Sequence, residues 1–133
     1  MKNMTDAQWD AGLAVMDQVY GPGVSEMMRS HKDSSFNQEI VVNQFGNLWA
    51  DEALSIREKR LMVLGATTML GRADLIEIQM IGALENGEFT EEQLDQLPLF
   101  MLFYAGAGNT TALFRGIHAA KAKFTERKAS KEG

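Results

Sequence analysis

Helix-start signals at three places along the chain constrain its fold more than any other feature of the sequence. In each, a Thr or Ser is followed three residues later by a Gln or Glu. The three pairs are Thr5 with Gln8, Ser55 with Glu58, and Thr90 with Gln93. In such a capping box each side chain bonds the backbone N–H of the other residue. Because apolar residues at helical spacing follow each pair, the chain is predicted to be built from helices.

Strand patterns are missing from the same sequence, since no segment shows sustained period-two alternation between turn residues. The 133 residues are about one domain in length. We therefore predict an all-α, single-domain bundle of six or seven helices over residues 1–124. A polar and frayed C-terminal tail is expected over residues 125–133.

Two of the predicted helices carry distinctive apolar patterns. The helix over residues 37–50 is expected to place five apolar side chains on one face: Ile40, Val41, Phe45, Leu48 and Trp49. The helix that follows Ser55 is almost wholly apolar over residues 61–70. A helix that is apolar all round is buried all round, so we expect it at the centre of the bundle.

Glycines over residues 105–108 are expected to turn the chain before the last helix, which reaches about Phe124.

Composition excludes several kinds of chemistry. The chain has no cysteine, which removes disulfides, thiolate nucleophiles, sulfur metal ligands and thiol peroxidase activity. Only two histidines are present. We therefore expect no metal site and no cofactor. The net charge, 13 − 18 = −5, argues against non-specific nucleic-acid binding, which needs a basic surface.

Membrane and export signals are not predicted either. Residues 1–10 are polar and lack an apolar signal core. The longest apolar stretch, residues 99–107, is about half of the ~20 residues that a bilayer needs. We expect a cytoplasmic protein with neither a membrane nor a nucleic acid as its partner.

Charge is distributed unevenly along the second half of the chain. Residues 73–114 contain seven acids and no Lys or Arg, whereas six bases and two acids follow from Arg115 to the end. Charge patterning alone seldom decides structure. Two alternatives follow: two solvated faces, or a basic C-terminal segment that packs on an acidic surface of a neighbouring subunit.

Candidate functional residues are polar or amphipathic groups at positions where apolar ones are expected. Glu77 and Gln79 lie two apart on a predicted helix and point about 200° apart, so one of them should face inward. Because a buried polar group needs a partner, the inward residue either bonds another helix or lines a pocket. Trp49 and Tyr104 combine an apolar body with a polar group and fit either a core or a pocket. His118 is a candidate acid or base near neutral pH.

Several segments, taken in order, resemble the carboxymuconolactone decarboxylase family of the alkyl hydroperoxidase D-like superfamily. The resemblance covers roughly residues 9–122. The segments are VYG at 19–21, FGNLW at 45–49, LS at 54–55, RLMVLGATTMLGR at 60–72, IGALENG at 81–87, TEEQL at 90–94 and FYAG at 103–106. The resemblance implies an all-helical protein that assembles as trimers or hexamers, with pockets between helices near subunit contacts. It also implies a step of aromatic catabolism in which a muconolactone loses CO₂.

Three positions depart from the pattern that is typical of this family. Val42 and Asn47 stand where typical members have Glu, and Gln79 stands where they have His. The carboxylate and imidazole that could move protons are thus replaced by apolar or neutral groups. Two hypotheses remain: a cofactor-free decarboxylase or lyase on a small cyclic or aromatic carboxylic acid, or a non-catalytic oligomeric protein that binds small molecules.

The site predicted from these arguments has six residues. Glu77, Gln79 and Tyr104 are the predicted catalytic residues, and Asn43, Trp49 and His118 the predicted substrate contacts. Neutral donors would stabilise an oxyanion, and Glu77, Tyr104 or His118 would supply a proton. We expect Trp49, Gln79 and Tyr104 to surround one cavity. We also expect a homotrimer or homohexamer with the last helices in its interface.

Overall fold

The computed structural model describes residues 1–132, in which every regular element is helical. The α-helices are α1 (Asp6–Tyr20), α2 (Ser35–Gln38), α3 (Ile56–Met69), α4 (Ala73–Glu85) and α5 (Glu91–Glu132). A 3₁₀-helix spans Val24–His31 and a π-helix spans Glu39–Trp49. The predicted all-α fold is confirmed. The helices group into two compact units, residues 1–56 and residues from Arg57 onward, and each is described by itself.

In the first unit, α1 packs against the π-helix. The predicted capping box opens α1, with N···O distances of 3.1 and 2.9 Å between Thr5 and Gln8. Gly12 permits a close helix contact, because a Cβ atom there would lie 2.0 Å from the carbonyl oxygen of Val41. Buried side chains of both helices form the core of this unit: Trp9, Leu13, Met16, Val19, Val41, Val42, Phe45 and Trp49.

The apolar face predicted for residues 37–50 is partly wrong. Val41, Phe45 and Trp49 are buried as expected, but Leu48 is exposed and Val42 is buried in its place. The reason is the π-helix, whose hydrogen bonds close over five residues instead of four. Each residue then turns less about the axis, so side chains four apart stay aligned and Leu48 rotates outward.

In the second unit, α3 is not buried on all sides, and that prediction is wrong. Its buried residues form one stripe, comprising Arg60, Leu64, Thr67 and Thr68, whereas Met62 and Met69 are exposed. A helix covered on one side buries only one stripe. The chain's own core therefore does not account for the apolar residues on the other side of α3.

The core of the second unit lies between α4 and α5, and Leu64 of α3 adds to it. Ten buried residues form it: Leu64, Ile76, Met80, Ile81, Ala83, Leu94, Ala112, Leu113, Ile117 and Ala120. As predicted, α5 begins with the Thr90–Gln93 capping box, at 2.9 and 3.1 Å, and Gly87 with φ of 62° follows α4.

Helix α5 is a hairpin of two arms joined at Gly106. This residue has φ of 81° and ψ of 162°, a non-helical conformation that glycine adopts without strain. The first arm is residues 91–105 and the second arm is residues 107–132. Lys121 and Glu91 lie equally far along the chain from Gly106, one on each side of it. Lys121 Nζ is nevertheless only 2.7 Å from Glu91 Oε2. The arms therefore run antiparallel and side by side, and the predicted turn is confirmed.

The second arm is longer than predicted. Helix α5 continues to Glu132, so the expected end near Phe124 and the frayed tail are wrong as far as residue 132. Residue 133 lies outside the described residues. The segment after Phe124 is rich in Lys, Arg, Glu and Ala, which are good helix formers even when exposed.

Helix α5 is long and apolar enough to cross a membrane by length and composition alone, and 17% of its apolar window is buried. The reversal at Gly106 divides that length between the two arms. The first arm, which holds most of the large apolar side chains, is then shorter than the ~20 residues that a bilayer requires.

Candidate functional site

A fully buried arginine organises the polar interior of the second unit. The side chain of Arg60 is 0% exposed and is paired with the nearly buried Glu88. Its Nε and Nη2 atoms donate to the two carboxylate oxygens of Glu88 at 3.1 and 2.8 Å. Its Nη1 atom donates to Gln79 Oε1 at 3.1 Å. We call Arg60, Gln79 and Glu88 the arginine cluster.

The arginine cluster joins three consecutive parts of the chain. Arg60 lies on α3, Gln79 on α4, and Glu88 in the loop before α5. Arg57, one turn earlier on α3, donates to the carbonyl oxygen of Glu88 at 3.0 Å, and its guanidinium lies 4.8 Å from the ring centre of Phe89. Two arginines of α3 thus hold this loop. Bidentate guanidinium–carboxylate pairs are among the strongest hydrogen-bonded contacts in proteins, so the loop is firmly placed.

Gln79 faces inward, as the argument from the Glu77–Gln79 pair predicts, and is 6% exposed. Of the two alternatives for the inward residue, the structure shows a hydrogen bond between helices. Its partner Arg60, and the Glu88 carboxylate that Arg60 also bonds, were not among the predicted site residues. Arg60 had a usable signal, because it lies four residues before Leu64 and eight before Thr68 on the buried stripe of α3. No such periodic pattern could identify Glu88, because it lies in a loop.

A cavity of about 510 Å³ lies between the two arms of α5, and we call it the arm groove. Its volume is typical of small-molecule sites. One wall is the first arm and the other is the second arm. The lining residues are Leu94, Asp95, Pro98, Leu99, Leu102, Ala107, Thr110, Thr111, Phe114, Ile117, His118 and Lys121. The groove is therefore mainly apolar, with its charged groups toward the end away from Gly106.

His118 is the predicted site residue that lines the arm groove. Its ring lies 4.2 Å from that of Phe114, between centres, and its Nδ1 is 3.0 Å from the carbonyl oxygen of Phe114. A carbonyl oxygen only accepts, so Nδ1 carries the hydrogen in the neutral ring. Nε2 is then the nitrogen that can take up a proton.

Another cavity, of about 460 Å³, lies beside α3. Its lining is Leu61, Leu64, Gly65, Gln96, Leu97, Phe100, Met101 and Leu113. Gln96 is its one polar lining side chain, so this cavity lacks a group that could transfer a proton. It offers apolar contact but no acid–base chemistry.

The remaining predicted residues lie apart from the arm groove or in the first unit. Glu77 pairs with Lys123 at 2.8 Å, and Tyr104 is 73% exposed with its ring 5.2 Å from that of Phe100. Neither lines the arm groove or the cavity beside α3. In the first unit, Trp49 is buried and stacks on Phe45 at 6.2 Å, and Asn43 bonds Glu39 and Asn47 along the π-helix.

The uneven charge of the second half is partly neutralised inside the chain. Lys121 pairs with Glu91 and Lys123 with Glu77, so two bases of the C-terminal segment meet acids of the preceding one. These two pairs need no neighbouring subunit.

At the start of α4, a hydrogen bond from exposed Arg72 lowers the pKa of Asp74 to about 2.

Metal coordination has no support in residues 1–132, where no three His, Asp or Glu side chains are grouped to hold an ion.

Comparison with known families gives a match over most of this structure. The profile of the carboxymuconolactone decarboxylase family matches residues 38–119, which is more than half of the chain. The chain belongs to the carboxymuconolactone decarboxylase family. This family lies in the alkyl hydroperoxidase D-like superfamily, so the predicted resemblance is confirmed. No curated protein matches the chain. The matched residues include the arginine cluster, the first arm and the groove wall as far as His118.

Proposed function

We propose that this family member binds a small cyclic or aromatic carboxylic acid in the arm groove and acts on it as a cofactor-free decarboxylase or lyase. The observation that carries the proposal is the placement of His118 and Lys121 on one apolar cavity of about 510 Å³. A ring would lie against the apolar walls, and its carboxylate would pair with the Lys121 ammonium in exchange for Glu91.

The proposed reaction is redox-neutral. The bond between the ring carbon and its carboxylate carbon breaks, CO₂ leaves, and the electron pair stays on the carbon. A protonated His118 delivers a proton to that carbon from Nε2 and is reprotonated by solvent. General acid catalysis of this kind contributes roughly 10²- to 10⁴-fold to a rate. His118 is preferred to Glu77 and Tyr104 as the proton donor because it lines the cavity.

The test is turnover of a panel of lactone and aromatic acids, with products identified by mass spectrometry after exhaustive chelation. We expect loss of CO₂ from at least one acid, and a fall of ~10²-fold or more in His118→Gln. His31→Gln is the matched control, since His31 is the other histidine and lies in the first unit. Unchanged turnover in His118→Gln would contradict the assignment of His118. Binding without turnover would leave the non-catalytic binding protein as the function.

Thiol peroxidase activity is predicted to be missing. Reduction of a hydroperoxide by that route needs one thiolate to attack and a second thiol to resolve the sulfenic acid. The chain has no cysteine to serve in either role. We expect no turnover of alkyl hydroperoxides with a dithiol reductant.

We also propose that the chain assembles with copies of itself as a trimer or hexamer. Large apolar side chains are exposed on the first arm, among them Leu99, Phe100 and Phe103, the last 87% exposed. Exposed apolar patches commonly mark protein contacts. Light scattering at micromolar concentration should give three or six times 14.8 kDa, and Phe103→Asp should lower that mass. Phe36→Asp, at an exposed residue of the first unit, is the control. A wild-type mass near 14.8 kDa would contradict this proposal.

A further inference from the structure

Thr110 carries a buried hydroxyl without a hydrogen-bond partner. Its side chain lines the arm groove and is 5% exposed. In the described part of the chain, Thr110 Oγ1 is the one buried side-chain polar atom that lacks a partner. Such a group costs free energy in the folded protein, because it gives up its bond to water and gains none in return.

Other helical threonines show which bond is missing at Thr110. Each of four donates its hydroxyl hydrogen to the carbonyl four residues earlier. The donors are Thr67 at 2.8 Å, Thr68 at 2.6 Å, Thr111 at 2.7 Å and Thr125 at 2.9 Å. The carbonyl four residues before Thr110 belongs to Gly106, the non-helical residue at the hairpin turn. At Thr110 no such bond forms, and its hydroxyl is left without an acceptor.

Resting on the arm groove as the ligand site proposed above, we infer that Thr110 is a specificity-determining residue. It donates its hydroxyl hydrogen to a carbonyl oxygen of the bound molecule. Threonine uses two rotamers in helices. Rotation about its Cα–Cβ bond turns the buried hydroxyl into the groove, where the ligand supplies the acceptor that Gly106 does not.

The acceptor is inferred to be a neutral carbonyl, as in a ketone or ester, and not a carboxylate. Lys121 is the one Lys or Arg among the lining residues, and it lies eleven residues along the helix from Thr110, about 16 Å. A carboxylate beside Thr110 would be desolvated without a counter-charge, which is costly. The groove thus binds a neutral acceptor of the ligand near Gly106 and an anionic group of the ligand near Lys121.

The experiment compares two probes of nearly the same shape by calorimetry on the full chain. They are 4-phenyl-2-butanone and 2-methyl-4-phenyl-1-butene, in which a methylene group replaces the carbonyl oxygen. Thr110→Val removes the hydroxyl and keeps the shape. We expect it to weaken ketone binding by about 3- to 10-fold and to leave alkene binding unchanged. Thr110→Ser should keep the wild-type affinity for the ketone.

Thr125→Val is the matched control, because Thr125 lies on the same arm outside the groove lining and already donates to the Lys121 carbonyl. It should leave the affinities of both probes unchanged. Without ligand, Thr110→Val should unfold at the same temperature as the wild type or at a higher one. A clearly lower midpoint would show that the protein itself satisfies the hydroxyl, and would overturn the inference. If Thr110→Val fails to fold, Thr110→Ala is compared with Thr110→Ser in its place.

Two failures are distinguishable. If both probes bind the wild type and Thr110→Val changes both affinities equally or neither, the inference about Thr110 is wrong and the arm groove remains a ligand site. If neither probe binds the wild type, the arm groove is not a site for such molecules. The inference about Thr110 is then overturned, whereas the proposed function stands or falls with the panel of acids, which carry the carboxylate that these probes lack.

Discussion

The arginine cluster and the arm groove belong to the same unit and treat polar groups in opposite ways. In the arginine cluster, a fully buried cation meets a carboxylate and an amide of its own chain. In the arm groove, apolar walls carry a few polar groups, and one buried hydroxyl has no partner. Burial of a polar residue therefore does not by itself indicate a binding site. The better indicator is a buried polar group that the protein leaves unpaired.

The largest expected effect is on stability, from breaking the arginine cluster. Arg60→Leu leaves the Glu88 carboxylate and the Gln79 amide without their shared donor. Loss of one partner of a buried pair costs about 3–5 kcal/mol, so the free energy of unfolding in urea should fall by that amount. Arg72→Ala, at an exposed pair with Asp74, is the control and should remain close to wild type.

The double variant Arg60→Leu with Glu88→Leu sharpens this result. It removes both charges, so it should be much more stable than Arg60→Leu alone. If Arg60→Leu is as stable as the wild type but fails to bind the probes, the arginine cluster is part of the site. The distinction between an arginine cluster that stabilises the fold and an arm groove that binds the ligand would then be wrong.

A smaller loss of stability is expected from Gln79→Leu. This variant removes a neutral acceptor from a charged donor, and about 1–3 kcal/mol should be lost in urea unfolding. Probe binding in the arm groove should be unchanged. A fall in turnover of ~10²-fold in a protein of normal stability would instead make Gln79 an oxyanion donor, as the sequence alone allowed.

A modest effect on ligand binding is expected from Lys121→Met. Because the ammonium is partly exposed, the variant should bind an aromatic carboxylate about two- to fivefold less tightly. The affinity should also depend less on salt concentration. Lys123→Met is the control, since Lys123 pairs with Glu77 and does not line the groove. Equal losses in both variants would point to a general charge effect.

The smallest effect is expected at the exposed Arg72–Asp74 pair. The folded pKa of Asp74, about 2, is below its ordinary value of 3.8. The pair therefore stabilises the protein above about pH 4, and this contribution is lost as the pH falls toward 2. Titration of the carboxyl carbon by NMR should give a midpoint near 2, which rises toward 3.8 in Arg72→Ala. An unchanged midpoint in that variant would contradict the assigned cause.

Local signals in the sequence predicted much of the fold. Capping boxes and glycines act within a few residues, so the start of α1, the start of α5 and the turn at Gly106 could be predicted. The type of a helix and the faces that it buries were harder to predict. The π-helix changes which residues share a face, as Leu48 shows, and the exposure of α3 depends on what surrounds it.

The candidate site was predictable only in part, for a similar reason. An inward polar residue follows from helix geometry, and Gln79 was found that way. Glu88, which shares the donor Arg60 with Gln79, lies on a loop, and only the tertiary structure brings it to Arg60. The arm groove depends on the antiparallel pairing of two arms, which no short pattern records. His118 was a candidate because of its chemistry, and the hairpin is what gives it a cavity.

The central claim is that ligands enter the arm groove while the arginine cluster holds the fold. NMR during titration with 4-phenyl-2-butanone tests it most directly. We expect shifts at the methyl groups of Leu94, Leu102 and Ile117, with the Arg60 Nε–H and Gln79 amide signals unmoved. Shifts at Arg60 and Gln79 with unmoved groove methyl signals would contradict the claim.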